Sequence, residues 1–176
     1  LRTMCKNKLK FFNFIYLKIM VFRILLTGPS GSGKTFIAKS FIDHFKIPSI
    51  TIRGPEILDK YVGASERAVR EVFSRARSIR PCILFFDEID SLIPRRGSNQ
   101  SGVTDRIVNQ FLTELDGTED RSGIFVLATS SKPEIIDKAI LRPGRIDTII
   151  ELLNPTIEDT EKVLNEYFRI FLNSDF

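Results

Sequence analysis

Residues 28–35 read Gly28-Pro29-Ser30-Gly31-Ser32-Gly33-Lys34-Thr35, with the spacing G-x-x-x-x-G-K-T. A loop of this composition handles phosphate. Its glycines let backbone N–H groups turn inward around phosphate oxygens with no Cβ in the way. A helix beginning at about Lys34 aims the positive end of its dipole at the same oxygens. Lys34 is the residue type that reaches β- and γ-phosphates, and the Thr35 hydroxyl is the type that ligates Mg²⁺. Further along, Ile83-Leu84-Phe85-Phe86-Asp87-Glu88 is an apolar run ending in two acids. That pair suits Mg²⁺ binding and water activation beside a bound triphosphate. The plainer alternatives are a Gly/Ser turn in the first segment and an acidic helix cap in the second.

Such residues act only if strands and helices hold them. Residues 21–27 (Val-Phe-Arg-Ile-Leu-Leu-Thr) read as a buried strand entering the loop. Residues 36–45 read as a helix, with Phe36, Ile37, Ser40, Phe41 and Phe45 near one side. A short strand is expected over 49–53. A helix is expected over 65–80, where Val69, Val72, Phe73 and Ala76 recur at helical spacing and Pro81 stops it. Residues 83–87 form a central strand. Residues 104–116 form a helix with Ile107, Val108, Phe111, Leu112 and Leu115 on one face, closed by Gly117. Residues 123–129 are a further buried strand, 135–141 a short helix and 148–152 a last strand. Residues 156–172 form an amphipathic helix opened by Thr156-x-x-Asp159 and carrying Leu164, Tyr167, Phe168 and Phe171. Five strands separated by helices predict an α/β fold, a five-stranded parallel sheet covered on both faces.

The 176 residues suffice for one domain with a sizeable core. The net charge of +4 misleads, because residues 1–23 carry six basic side chains and no acid. Subtracting those six leaves −2 for the rest, so no nucleic-acid partner is expected. Cys5 and Cys82 form no pattern, which predicts neither a disulfide framework nor a zinc site and points to a reducing compartment. His44 is the only histidine. The apolar stretch 11–22 is broken by Asn13 and Lys18 and is too short to span a bilayer. Residues 1–20 read as a basic, apolar N-terminal extension, 21–153 as the main domain, and 154–176 as the start of a helical lid.

A phosphate loop alone does not choose among kinases, GTPases and motors. Four further segments do. Asp87-Glu88-Ile89-Asp90 resembles the Walker B box of the AAA ATPases. Gly54-Pro55-Glu56-Ile57-Leu58-Asp59-Lys60-Tyr61-Val62-Gly63 resembles their first pore loop, and Leu141-Arg142-Pro143-Gly144-Arg145-Ile146-Asp147 their arginine-finger segment. Ala128-Thr129-Ser130-Ser131-Lys132-Pro133 lies where the family keeps its sensor-1 residue. The order and spacing match from about residue 24 to residue 152, so the chain is identified as resembling that family.

The resemblance implies a P-loop NTPase fold, ATP and Mg²⁺ as cofactors, and a role for each matching position. Gly28, Pro29, Ser30, Gly31, Ser32, Gly33, Lys34 and Thr35 would bind the nucleotide. Thr35 and Asp87 would hold the metal, and Glu88 would polarise the attacking water. Arg142 and Arg145 would be the fingers inserted into a neighbour's site; the bland alternative is a surface arginine pair on a Pro-Gly turn. Ser131 stands at the sensor-1 position, where the family usually has Asn, a longer donor. Tyr61 would grip an extended polypeptide in the central pore, against the alternative of a half-buried tyrosine in a turn. Residues 95–106 would be the second pore loop. The residues before Val21 do not match the family's adenine-side segment, and only one lid helix is present. The chain is therefore expected to be a truncated module with weak activity, against a silent nucleotide-binding module.

Within the family, Gly63-Ala64-Ser65-Glu66, residues 81–88 and residues 102–110 look like the second AAA module of the peroxisome-biogenesis branch. That resemblance implies a homo- or heterohexamer, with peroxisome biogenesis factor 6 as the partner subunit and a protein substrate threaded through the pore. It also implies a cytoplasmic location with peripheral attachment to the peroxisomal membrane. A AAA unfoldase of protein quality control or ribosome assembly is the alternative.

Overall fold

The computed structural model describes residues 22–55, 65–95, 102–116 and 123–173. The N-terminal extension, Tyr61 with most of the first pore-loop segment, and residues 96–101 of the second pore-loop segment lie outside the described residues.

Five strands form one sheet: β1 (Arg23–Thr27), β2 (Ser49–Arg53), β3 (Cys82–Asp87), β4 (Ile124–Ser130) and β5 (Thr148–Glu151). Their order is β2-β3-β4-β1-β5, and every neighbouring pair is parallel. Burial follows position. The interior strands β1 and β3 are buried almost throughout, whereas the edge strands β2 and β5 are mostly exposed. A parallel sheet needs cover on both faces, which explains why β1 and β3 are continuous apolar runs.

Alternate residues along each strand feed opposite layers. Ile24, Leu26, Ile83, Phe85 and Leu127 pack with Ala38, Phe41 and Ile42 of α1 (Lys34–Phe45). Leu25, Leu84, Phe86, Val126 and Ala128 face the other way. There they meet α2 (Ser65–Ser78), the short α3 (Ile89–Leu92) and α4 (Gly102–Asp116). Phe111 of α4 lies edge-on to both Phe86 and Phe73, with centroids 4.9 and 5.6 Å away. The helical faces expected of 65–80 and 104–116 are the faces that are buried: Val69, Phe73 and Ala76 on one, and Ile107, Val108, Phe111, Leu112 and Leu115 on the other.

Two local expectations need correction. The α3 turn was not anticipated, since four residues are too few to show periodicity. The single helix expected over 135–141 is instead two 3₁₀ turns, Pro133–Ile135 and Lys138–Leu141. Ile136 between them is extended and forms an antiparallel bridge with Pro94. The Asp137 N–H donates to the Ile93 carbonyl at 3.1 Å, and the Asp137 side chain caps the second turn through Ala139 N–H. Tertiary pairing with the segment after α3 thus overrides local helix preference. The last helix, α5 (Ile157–Asn173), opens as expected: Thr156 Oγ1 accepts from Asp159 N–H at 3.1 Å and donates to the Asp159 carboxylate at 2.9 Å.

Candidate active site

Because all five strands run parallel, β1, β3 and β4 end at the same edge of the sheet, where ligands of open α/β sheets bind. The phosphate-type loop leaves β1, the two acids leave β3, and β4 lies between those strands.

Gly31 and Gly33 adopt φ of +83° and +84°, which L side chains rarely take, and a Cβ on either would meet nothing within 4 Å. The loop therefore presents open backbone. Gly33 is the N-cap of α1, with no side-chain cap bond and no acid in the first turn. The orphan N–H groups and positive dipole of that helix end are left for an external anion. Lys34 is 8% exposed, and its ammonium donates to the Gly28 and Pro29 carbonyls at 2.8 and 2.7 Å. Ser32 Oγ lies 3.4 Å from the same nitrogen. The cation is thus folded onto the loop it serves.

The Thr35 hydroxyl donates to Asp87 Oδ1 at 2.9 Å, joining residues 52 positions apart. A hydroxyl that donates to a carboxylate keeps its lone pairs for another partner. A threonine oxygen and a carboxylate beside an anion cradle are the hard oxygen donors that Mg²⁺ prefers. The residues therefore fit a Mg-nucleotide. Glu88, which follows, is exposed and has φ 57° and ψ 52°, a left-handed backbone unusual for a residue with a side chain. Its N–H donates to Thr129 Oγ1 at 3.1 Å, and Thr129 Oγ1 donates to Asp87 Oδ1 at 2.6 Å. Thr129 was not among the residues singled out by sequence. Its signal was a polar side chain near the end of a largely apolar strand, two residues before Ser131. Ser131, which was singled out, lies just beyond β4 and is exposed.

The two arginines, grouped together by sequence, differ. Arg142 is exposed. Arg145 is turned back on its own chain. Its Nε donates to Asp116 Oδ1 at 2.7 Å, and its two terminal nitrogens bond the other Asp116 oxygen and the Ala139 carbonyl. The Asp116 hydrogen bond raises the Arg145 pKa further, against the opposing effect of burial. Arg23, buried at the start of β1, bonds the Leu115 and Gly144 carbonyls and so ties the same turn to the end of α4.

Residues 24–154 match the family model described as "ATPase family associated with various cellular activities (AAA)". The chain belongs to that family. Among curated relatives, this AAA domain is 58% identical over 124 residues to the Peroxisomal ATPase PEX1 of Dictyostelium discoideum, covering 70% of this chain and 10% of that protein. It is 51% identical over 142 residues to the human Peroxisomal ATPase PEX1, covering 81% and 11%. It is equally, 51%, identical over 141 residues to the Schizosaccharomyces pombe protein named "Uncharacterized AAA domain-containing protein C16E9.10c", covering 80% and 18%. The AAA domain thus spans roughly a tenth to a fifth of the length of these relatives. Among the described residues, no helix is long and apolar enough to cross a membrane.

Proposed function

We propose that this domain binds ATP with Mg²⁺ and hydrolyses it as one subunit of a ring. The Thr35–Asp87 hydrogen bond carries the reading, because it joins the phosphate loop to the acidic strand end in one small volume. Gly28, Pro29, Ser30, Gly31, Ser32 and Gly33 surround the phosphates with backbone donors. Lys34 leaves its carbonyls for the β- and γ-phosphates. Thr35 and Asp87 hold Mg²⁺, which, when bound, neutralises charge on the transferring phosphoryl group. Glu88 orients and deprotonates the attacking water. Ser131 donates to the γ-phosphate. Arg142 reaches the neighbouring subunit's nucleotide, and Arg145 joins it only on release from Asp116. Isothermal titration with ATP tests the core of this reading. Mg²⁺-dependent binding is expected for the natural chain, and Lys34→Ala should weaken it at least ~10-fold. Equal affinity in both would overturn it.

For the longer protein to which such a domain belongs, we infer a protein unfoldase that draws a polypeptide past Tyr61. The relatives named peroxisomal ATPases support assignment to peroxisome biogenesis. The domain would be the second AAA module, paired with peroxisome biogenesis factor 6, extracting import receptors from the cytoplasmic side of the peroxisomal membrane. The equally similar fission yeast protein carries no peroxisomal term in its name, so similarity does not by itself select the peroxisomal branch. The second reading is a AAA unfoldase of quality control or ribosome assembly. Isolation of the tagged protein separates the two: a peroxisomal AAA partner supports the first, and pre-ribosomal particles the second.

A further inference from the structure

We infer that Thr129 is a positioning residue that sets both acids of the site through one hydroxyl. The inference rests on the hydrolytic reading above. A threonine hydroxyl has one proton and two lone pairs. Here the proton goes to Asp87 Oδ1 at 2.6 Å, and a lone pair takes the Glu88 N–H at 3.1 Å. One atom therefore fixes where the Asp87 carboxylate points and which way the chain turns at Glu88.

The placement follows from the sheet. β4 lies between β3 and β1, with Ala128 opposite Phe86 and Thr129 opposite Leu26. Thr129 is thus one step further along, level with the point where β3 ends in Asp87. It is 1% exposed, so water does not replace it. The branched side chain has few χ1 choices, which fixes the hydroxyl direction. Glu88 needs such an anchor, because its left-handed backbone is disfavoured for a residue with a Cβ and persists only where the surroundings enforce it. Asp87 Oδ1 accepts from Thr35 as well. The bond from Thr129 restrains the carboxylate that, together with Thr35, would hold the metal. The threonine acts through the two acids it bonds.

Thr129→Val keeps the shape and removes the hydroxyl; Thr129→Ser restores it; Thr129→Ala serves if the valine variant does not fold. The first readout is amide hydrogen exchange at Glu88 in the nucleotide-free chain, followed by NMR. Exchange should accelerate at least ~10-fold in Thr129→Val or Thr129→Ala, with core amides unchanged, and return to the natural rate in Thr129→Ser. The second readout is steady-state hydrolysis: kcat should fall at least ~10-fold with KM for ATP nearly constant, and Thr129→Ser should recover it. A folded valine or alanine variant with natural Glu88 exchange would overturn the inference. So would a serine variant as impaired as the valine one. If the natural chain neither binds nor hydrolyses ATP, the functional reading fails, and the exchange measurement still decides whether the hydroxyl holds Glu88.

Discussion

Glu88 is an exposed acid on a strained backbone directly after the strand that supplies Asp87. Its proposed task is on water rather than on phosphate. Glu88→Gln should therefore keep ATP affinity within about twofold while hydrolysis falls on the order of 10²–10⁴-fold. Titration and a phosphate-release assay on the same sample check this; turnover at the natural rate would remove Glu88 from the mechanism. Cys82 makes a different case. It is fully buried at the start of β3, and burial pushes its thiol pKa up despite a backbone hydrogen bond at Ile50 that lowers it. A raised pKa means that the folded state keeps the proton. The neutral thiol costs nothing below the ordinary thiol range, and stability declines as pH rises through and beyond it. With Cys5 replaced by serine, labelling of Cys82 should track global unfolding and show no faster phase at neutral pH. At this scale the sequence was legible where a side chain declares its chemistry by type and spacing, as with Lys34, Thr35, Asp87 and Glu88. Thr129 was not legible, because its importance comes from a neighbouring strand that meets it only in space.

Elements explain why two arginines three residues apart behave differently. The turn after the second 3₁₀ segment directs Arg142 to solvent and Arg145 onto Asp116 at the end of α4. Arg142→Ala should leave urea stability within about 0.5 kcal/mol. Arg145→Ala should cost about 1–2 kcal/mol, since its side chain is 16% exposed and bidentate, but that of Asp116 is 47% exposed and screened by water. Equal stabilities would mean that the turn does not depend on the pair. Gly54, at the exit of β2, marks another junction. A Cβ there would lie 2.4 Å from the Glu88 carbonyl oxygen and 1.8 Å from Ser91 Oγ. The serine can rotate and the carbonyl cannot, so Gly54→Ala should destabilise the domain by about 1–3 kcal/mol and lower its melting temperature. Helix faces such as Ile107 to Leu115 were legible because each is a local pattern long enough to show its period. The two 3₁₀ turns were not, because the bridge from Pro94 to Ile136 decides them across a long separation.

At the scale of the whole molecule, the proposed function requires a site shared between neighbours. Arg142→Ala subunits lack the donated arginine and Lys34→Ala subunits lack their own phosphate lysine. Neither ring should hydrolyse ATP, yet rings assembled from both should regain activity at interfaces that join an intact loop to an intact arginine. The gain should track the statistical share of such interfaces, and verified mixed rings that stay silent would show that the arginine acts within its own subunit. The sheet order carries a consequence for the birth of the chain. β1 is an interior strand, yet its partners are β4, with Arg23 opposite Val126, and β5, with Ile24 opposite Thr148. A ribosome adding ~5–20 residues each second therefore releases Ile24-Leu25-Leu26 roughly 5–20 s before any partner strand exists. For that interval the apolar strand that leads into the phosphate loop has two bare edges. The loop most expected to grip nucleotide is made early and becomes a binding site late, and the unfinished chain is a natural client for the chaperones that shelter unpaired strands.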